Sequence, residues 1–158
     1  MLVIKIPGSH FPRPHWLNQG ERMIQYKREK NFQVEQIKRL FESVNWYSGK
    51  QPEKLQIAFQ NSTRVISAWD GEELVGLIRG MDDGIWQANI DCLLVHPKMQ
   101  GQGIASELVR QLLQEYKDFL YIYVVPDEKK NVPFYEKQGF KVMDEGTPLL
   151  IKGTAWER

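Results

Sequence analysis

The sequence predicts an α+β domain, and three features carry that prediction. Residues 63–69, 73–79 and 85–95 are rich in β-branched and apolar side chains and are separated by Asp70-Gly71 and Asp82-Asp83-Gly84, which is the pattern of an antiparallel meander joined by tight turns. The third stretch runs through His96-Pro97 into the glycine-containing turn Gln100-Gly101-Gln102-Gly103. Beyond that turn Ile104, Leu108, Leu112, Leu113 and Tyr116 recur at near-helical spacing, with Glu107, Arg110, Gln111, Gln114 and Lys117 between them. Upstream, Val34, Ile37, Leu40, Phe41 and Val44 mark one face of another helix. Pattern alone goes no further than α+β.

The elements follow in order. Residues 1–22, with Pro7-Gly8, Pro12 and Pro14, hold no sustained period and are expected to be an N-terminal extension of a domain spanning residues 23–158; His10 and His15 read there as surface residues. A short strand is predicted from Met23 to about Arg28. The first helix comes next, and Pro52 suits the first turn of a second helix carrying Leu55, Ala58 and Phe59. After the meander and the long helix, residues 119–125 are aromatic and β-branched and read as a buried strand. A short helix over about 132–138 then leads to strands expected near residues 140–143 and 149–152.

The turn is the most chemically informative segment. A helix N-terminus has N–H groups without intrahelical acceptors and carries partial positive charge, so an anion such as a pyrophosphate binds there without basic side chains. Glycine at 101 and 103 leaves room for a ligand to approach the backbone. Ser106 stands where a dinucleotide-binding fingerprint requires its third glycine, and no Gly-Lys-Ser/Thr follows, so neither a Rossmann turn nor a P-loop fits.

In order, Gln100-Gly101-Gln102-Gly103-Ile104-Ala105 resembles the Gln/Arg-x-x-Gly-x-Gly/Ala signature of the GNAT superfamily of N-acetyltransferases, and the preceding Leu-x-Val-His-Pro resembles the strand end just upstream of it. Pro133-Phe134-Tyr135-Glu136-Lys137-Gln138-Gly139-Phe140 is similar to a second hallmark, a helix with Phe-Tyr followed by Gly-Phe. The resemblance implies a mixed, mostly antiparallel sheet flanked by helices, with two central strands splayed apart, and acetyl-CoA as donor without a metal. It implies that the backbone of Leu93, Leu94 and Val95 binds the pantetheine arm as an extra strand would. It further implies that Gln100, Gly101, Gln102, Gly103, Ile104 and Ala105, with Ser106 adjoining, wrap the pyrophosphate, and that Phe134 packs on the pantetheine. The family's frequent Asn before the tyrosine is replaced by Glu128, and Asn131 stands nearer, as a candidate for the same wall.

The same resemblance gives Tyr135 the role of proton donor to the departing CoA sulfur; a phenol of pKa about 10 is protonated at neutral pH and matches a thiol leaving group. Backbone N–H groups near Leu94 and Val95 are expected to stabilise the developing oxyanion. The general base is less marked. Where family members often carry a Glu, this chain has Asn89 and Tyr123, and Asp91 is the nearest acid. By alternation along a regular strand it shares a face with Asn89 and Leu93, which makes it the candidate base. Cys92 lacks a His–acid partner and reads as a small buried hydrophobe, not a nucleophile.

Over roughly residues 40–140 the chain looks like the plant-type serotonin N-acetyltransferase branch and its bacterial relatives, through Val44-Asn45-Trp46, Pro52-Glu53-Lys54-Leu55, Leu74-Val75-Gly76-Leu77-Ile78-Arg79 and the Asp91-x-Leu-x-Val run. Trp46 and Tyr47 are then candidates for an aromatic acceptor wall, with Met81 and Trp86 weaker ones, and a primary arylalkylamine is the expected acceptor. A protein N-terminal acetyltransferase and a non-catalytic acyl-CoA sensor are the alternatives.

Composition bounds the remaining classes. With 158 residues and 42% hydrophobic content the chain can bury roughly two thirds of its unfolded surface. Net charge is +1 with scattered Lys and Arg, which gives no footprint for nucleic acid or an anionic membrane. A single cysteine fits a reducing compartment, and neither a bilayer-spanning run nor a secretory signal is read, so a cytoplasmic location is expected. A homodimer is compatible with these features.

Overall fold

A computed structural model describes residues 23–154. The extension expected over residues 1–22 lies outside the described residues. The chain forms β1 (Gln25–Lys27), α1 (Val34–Ser43), a 3-10 turn (Tyr47–Lys50), α2 (Pro52–Asn61), β2 (Arg64–Asp70), β3 (Glu73–Asp82), β4 (Gln87–Val95), a 3-10 turn (Pro97–Met99), α3 (Ile104–Glu115), β5 (Tyr121–Val124), a 3-10 turn (Lys129–Asn131) and α4 (Val132–Lys137). The strands lie in the order β1-β2-β3-β4-β5, antiparallel throughout except for β4 and β5, which run parallel.

Helices cover both faces of this sheet, which explains why β2 and β3 read as nearly continuous apolar runs instead of alternating ones. On one face, Ile37, Leu40 and Phe41 of α1 and Leu55 and Phe59 of α2 pack against Val65, Trp69, Leu74, Leu77 and Leu94. Proline at its first position starts α2, where a missing N–H costs nothing. On the other face, Ile104, Leu108, Val109, Leu112 and Tyr116 from α3 and its end pack against Ile66, Val75, Ile78, Ala88, Ile90 and Val95. The spacing that marked α3 in the sequence is therefore its buried stripe.

Close approach of α3 to the sheet fixes one glycine. A Cβ on Gly80 would stand 2.1 Å from the Tyr116 hydroxyl. That hydroxyl donates to Asp82 Oδ2 at 2.9 Å, and Arg64 lies over the Tyr116 ring while its Nε pairs with the same carboxylate at 3.1 Å. Asp82 is thus more than a turn residue. Its neighbour Asp83 does the turning, accepting from the N–H groups of Ile85, Trp86 and Gln87 at 3.0, 2.7 and 3.2 Å, and these bonds hold its carboxyl below the usual range.

The strands expected near residues 140–143 and 149–152 do not form. Val142, Met143, Leu149, Leu150 and Ile151 are exposed, and none pairs with a neighbouring strand. A four-residue apolar run supplies strand propensity but no partner, and without a ladder or a covered face it has nothing to stabilise it. β5 is not the buried strand expected but an edge strand with Tyr121 and Tyr123 exposed, and it is shorter, because Phe119 is held in a turn by its N–H bond to the Tyr116 carbonyl at 2.9 Å and by ring contact with Tyr116. Among the described residues no helix is long and apolar enough to cross a membrane.

Candidate functional site

The site arises where the ladder between β4 and β5 stops. Parallel pairing runs from Gln87 opposite Tyr121 to Ile90 opposite Val124 and goes no further, although β4 continues to Val95. The pairing ends, and a cleft of about 430 Å³ opens beside the unpaired end of β4, lined by Val44, Trp46, Leu93, Leu94, Val95, Gln100, Ala105, Asn131, Phe134 and Tyr135. Residues from the helical turn after α1, the end of β4, the start of α3 and the start of α4 are brought together there. Val44 was read in the sequence as part of a core stripe and of the Val44-Asn45-Trp46 motif, not as a site residue; its place after the last turn of α1 brings it to the cleft.

A β-bulge shapes the open half of β4. Leu77 pairs with Leu94 and Arg79 with Asp91, so two steps along β3 oppose three along β4. Cys92 absorbs the extra residue with φ 50°, a left-handed conformation uncommon for a side chain other than glycine, Asn or Asp. The bulge breaks the alternation assumed from the sequence. Ile90, Leu93 and Val95 pack toward α3, whereas Cys92 and Leu94 pack toward α1 and α2. Asp91 therefore lies on the α1–α2 face with Asn89, and not on the face of Leu93.

The position of Asp91 changes its chemistry as well. Arg79 Nε and a terminal Arg79 nitrogen donate to its two oxygens at 2.6 and 2.7 Å, a two-pronged pair across the β3–β4 ladder. One guanidinium engages both oxygens of Asp91. The carboxylate expected to be a free base is thus a cross-strand brace. Beside it, burial pushes the Cys92 thiol up to about 12, so it remains a thiol at neutral pH.

Backbone direction decides which groups face the cleft. The His96 N–H donates to the Val75 carbonyl at 2.8 Å, and the Leu94 carbonyl also lies on the β3 side, 3.2 Å from where a Cβ on Gly76 would stand. Because successive residues direct their N–H and C=O groups to opposite edges, those of Val95 and Leu93 point into the gap. Of the two oxyanion donors expected, Val95 is suitably directed and Leu94 is not. The Val95 carbonyl already accepts from Gln100 Nε2 at 3.0 Å, so the Gln100 side chain anchors the turn to the strand end.

The turn has the form that an anion cradle needs. Gly101 and Gly103 adopt φ 76° and 81°, and a Cβ on either would meet no protein atom within 4 Å. Glycine is required there by conformation, and the space beside it is open to a ligand. Gly103 caps α3, whose first regular bond runs from the Glu107 N–H to the Gly103 carbonyl at 3.0 Å. The N–H groups of Ile104, Ala105 and Ser106 precede it and have no intrahelical acceptor. Ile104 is 2% exposed, so only its backbone is available. Gln102 Nε2 reaches the Lys98 carbonyl at 3.4 Å, and Ser106 Oγ accepts from Gln138 Nε2 at 3.2 Å, tying the start of α3 to the end of α4. Glu107 nearby stays ionised, because Arg110 and Gln111 bond its carboxylate at 2.6 to 2.7 Å and hold its pKa down to about 2, and the Arg110 guanidinium offsets its charge.

Tyr135 and Phe134 come from α4. Phe134 packs against the α3-side core, and the Tyr135 ring meets Phe134 and Phe140 edge-on at 5.1 and 5.8 Å. Burial, and then the negative charge of Asp127, raise the Tyr135 phenol above its ordinary value, so it holds its proton throughout the neutral range. Trp46 packs edge-on against Phe41 at 5.7 Å and presents its remaining surface to the cleft. Tyr47 does not line it: the ring is 48% exposed and has Lys50 and Lys152 over its face. Among the described residues no group of His, Cys, Asp and Glu side chains is arranged to hold a metal ion.

Comparison with known proteins follows this geometry. Residues 31–140 match the model of the acetyltransferase (GNAT) family. An uncharacterized N-acetyltransferase, ycf52, of Pyropia yezoensis is 31% identical over 136 residues, covering 80% of this chain and 73% of that protein. A histone acetyltransferase of Glycine max is 31% identical over 137 residues, covering 78% of this chain and 56% of that protein. Among solved structures, a GNAT-family acetyltransferase of Streptococcus pneumoniae superposes with a TM-score of 0.72 at 30% identity, covering 83% of this chain and 98% of that one.

Proposed function

The chain belongs to the GNAT family of acetyltransferases, and from that premise we propose that it transfers acetyl from acetyl-CoA to the nitrogen of a primary arylalkylamine by direct attack in a ternary complex. The observation that carries the reading is the cleft itself. One wall is the unpaired edge of Leu93–Val95 with the open turn at Gly101 and Gly103 beneath it, suited to an elongated amide-bearing thioester with a pyrophosphate. The lining also includes Trp46, an apolar ring surface suited to an aromatic amine.

Each residue has a distinct part in this account. Leu93 and Val95 offer strand-like hydrogen bonds to the pantetheine amides, and the Val95 N–H is directed to stabilise negative charge on the thioester oxygen. Residues 101–106 hold the pyrophosphate through backbone N–H groups, while Asn131 and Phe134 flank the arm. Tyr135 gives its proton to the sulfur as the C–S bond breaks. Arg79 and Asp91 stiffen β4 beside the bulge.

A panel assay of CoA release tests the reading. Tryptamine-like amines should give a higher kcat/KM than spermidine, an aminoglycoside or a lysine-containing peptide, the last being the acceptor class suggested by the name of the Glycine max relative. A tenfold or greater preference for the polycation or the peptide contradicts the aromatic acceptor, and acetyl-CoA binding without CoA release from any amine contradicts the transferase.

A further inference from the structure

We propose that Gln138, just past the end of α4, is a positioning residue for the transfer. Through Ser106 it registers α4, and with it the Tyr135 phenol, on the first turn of α3. This rests on the transferase reading above, in which that turn holds the donor's pyrophosphate and Tyr135 protonates its sulfur.

The need for a tether follows from the size of α4. The helix has 6 residues, and one so short has no stability of its own. None of its residues is fully buried. Phe134, and Phe140 beyond the helix, pack against the α3-side core. Apolar contacts are non-directional, so they keep the helix on the core without fixing its rotation or its slide along it. Nor does the Tyr135 hydroxyl fix its own place, since it has no hydrogen-bond partner among the described residues.

A directed contact comes from Gln138. Its Nε2 donates to Ser106 Oγ at 3.2 Å, and among the described residues no other side-chain hydrogen bond joins residues 132–138 to another element. Gln138 is also bonded to Tyr135 itself. The Gln138 N–H donates to the Tyr135 carbonyl at 2.9 Å, and the Phe140 N–H donates to the same oxygen at 3.1 Å. The connection from the Tyr135 carbonyl through Gln138 to Ser106 is therefore continuous. It ends within the first turn of α3, on a residue whose N–H has no intrahelical acceptor. A serine oxygen that accepts from an amide still has its own hydrogen to give. That hydrogen has no acceptor among the described residues, which leaves it for an anion on the turn. One hydroxyl can thus bond both the phosphate end of the donor and the helix bearing its proton source. Sulfur and pyrophosphate belong to one molecule whose arm is laid along β4, so a phenol registered on the pyrophosphate turn is registered on the sulfur as well.

The test sets kcat, at saturating acetyl-CoA with the fastest amine of the panel, beside the acetyl-CoA thermal shift. Gln138→Ala should lower kcat by about 10-fold, within the range for a displaced catalytic group and by no more than Tyr135→Phe does, while the shift persists. Ser106→Ala cuts the same bond from its other end and should lower kcat as far. The discriminating variant combines Gln138→Ala with Tyr135→Phe. It should be no slower than Tyr135→Phe alone, because the tether acts only through the hydroxyl that is already gone. An unchanged kcat in Gln138→Ala, losses that multiply in the double variant, or disappearance of the acetyl-CoA shift in Gln138→Ala overturns the inference and leaves the transferase reading intact. A parent protein that releases no CoA with any amine in the panel overturns both.

Discussion

The two halves of β4 differ in one respect that matters. From Ala88 to Ile90 the strand is paired along both edges, to β3 and to β5; from Asp91 to Val95 it is paired along the β3 edge alone. Apolar side chains cover both halves, with Ala88 and Ile90 in one and Leu94 and Val95 in the other. In the closed half the backbone is paired to a strand on each side, and the result is structural. In the open half the groups of Leu93 and the N–H of Val95 face a cleft, the Val95 carbonyl being taken by Gln100, and a ligand with strand-like amides can pair with them. Binding capacity here comes from an interrupted ladder, and the bulge at Cys92 together with the end of the β5 pairing creates the interruption.

The largest way to break the comparison acts on chemistry in the open half. Tyr135→Phe keeps the ring contacts with Phe134 and Phe140 and removes the proton, so kcat should fall by ~10- to 1000-fold with acetyl-CoA affinity little changed. Because the folded phenol titrates above its ordinary value, the parent should keep this proton, and its rate, past about pH 10 before losing it as pH rises further. Single-turnover kinetics would expose an unaltered chemical step if the hydroxyl is only packed.

Next in size is the cradle. Acetyl-CoA at 100 times its dissociation constant should stabilise the parent by about 2.7 kcal/mol. Gly103→Glu places bulk and negative charge at a φ of 81° where the phosphate belongs and should abolish that shift, read by thermal melting with and without ligand. The counterpart in the closed half is Gly80→Ala, whose new Cβ meets the Tyr116 hydroxyl. It should destabilise the fold by about 1–3 kcal/mol while the acetyl-CoA shift persists. Equal loss of ligand binding in both variants would show that the halves are not separable.

Smaller effects sharpen the boundary. Trp46→Ala should reduce discrimination between aromatic and aliphatic amines by up to about tenfold, the worth of one aromatic contact, without altering acetyl-CoA binding. Cys92→Ala should leave kcat within about threefold of the parent, since the thiol is not ionised at neutral pH. A collapse of kcat in that variant would give sulfur a role that its burial argues against.

The parts legible in the sequence are those encoded by local pattern. The meander turns, the stripe of α3 and the Gly101 and Gly103 turn each follow from residues adjacent in sequence or one helical turn apart. The cleft-lining residues Leu93, Leu94, Val95, Gln100 and Ala105 were legible through the family resemblance that these local motifs carry. What escaped depends on partners distant in sequence. The bulge at Cys92 has no glycine to announce it, so alternation put Asp91 on the wrong face of Leu93. The Arg79 pair that occupies Asp91 is set by register across β3 and β4. Tyr47 turns outward because the 3-10 turn after Trp46 rotates successive residues away from one another, and the runs at 140–143 and 149–152 had propensity without a partner.

Amide hydrogen exchange with and without acetyl-CoA tests the central claim most directly. The open-edge account predicts that the ligand slows exchange at the N–H groups of Leu93, Val95, Ile104, Ala105 and Ser106, while Leu94, whose N–H faces β3, and residues 65–78 of the closed sheet keep their rates. Protection that spares Val95 and the first turn of α3, or that appears uniformly across β2, β3 and β4, would contradict it.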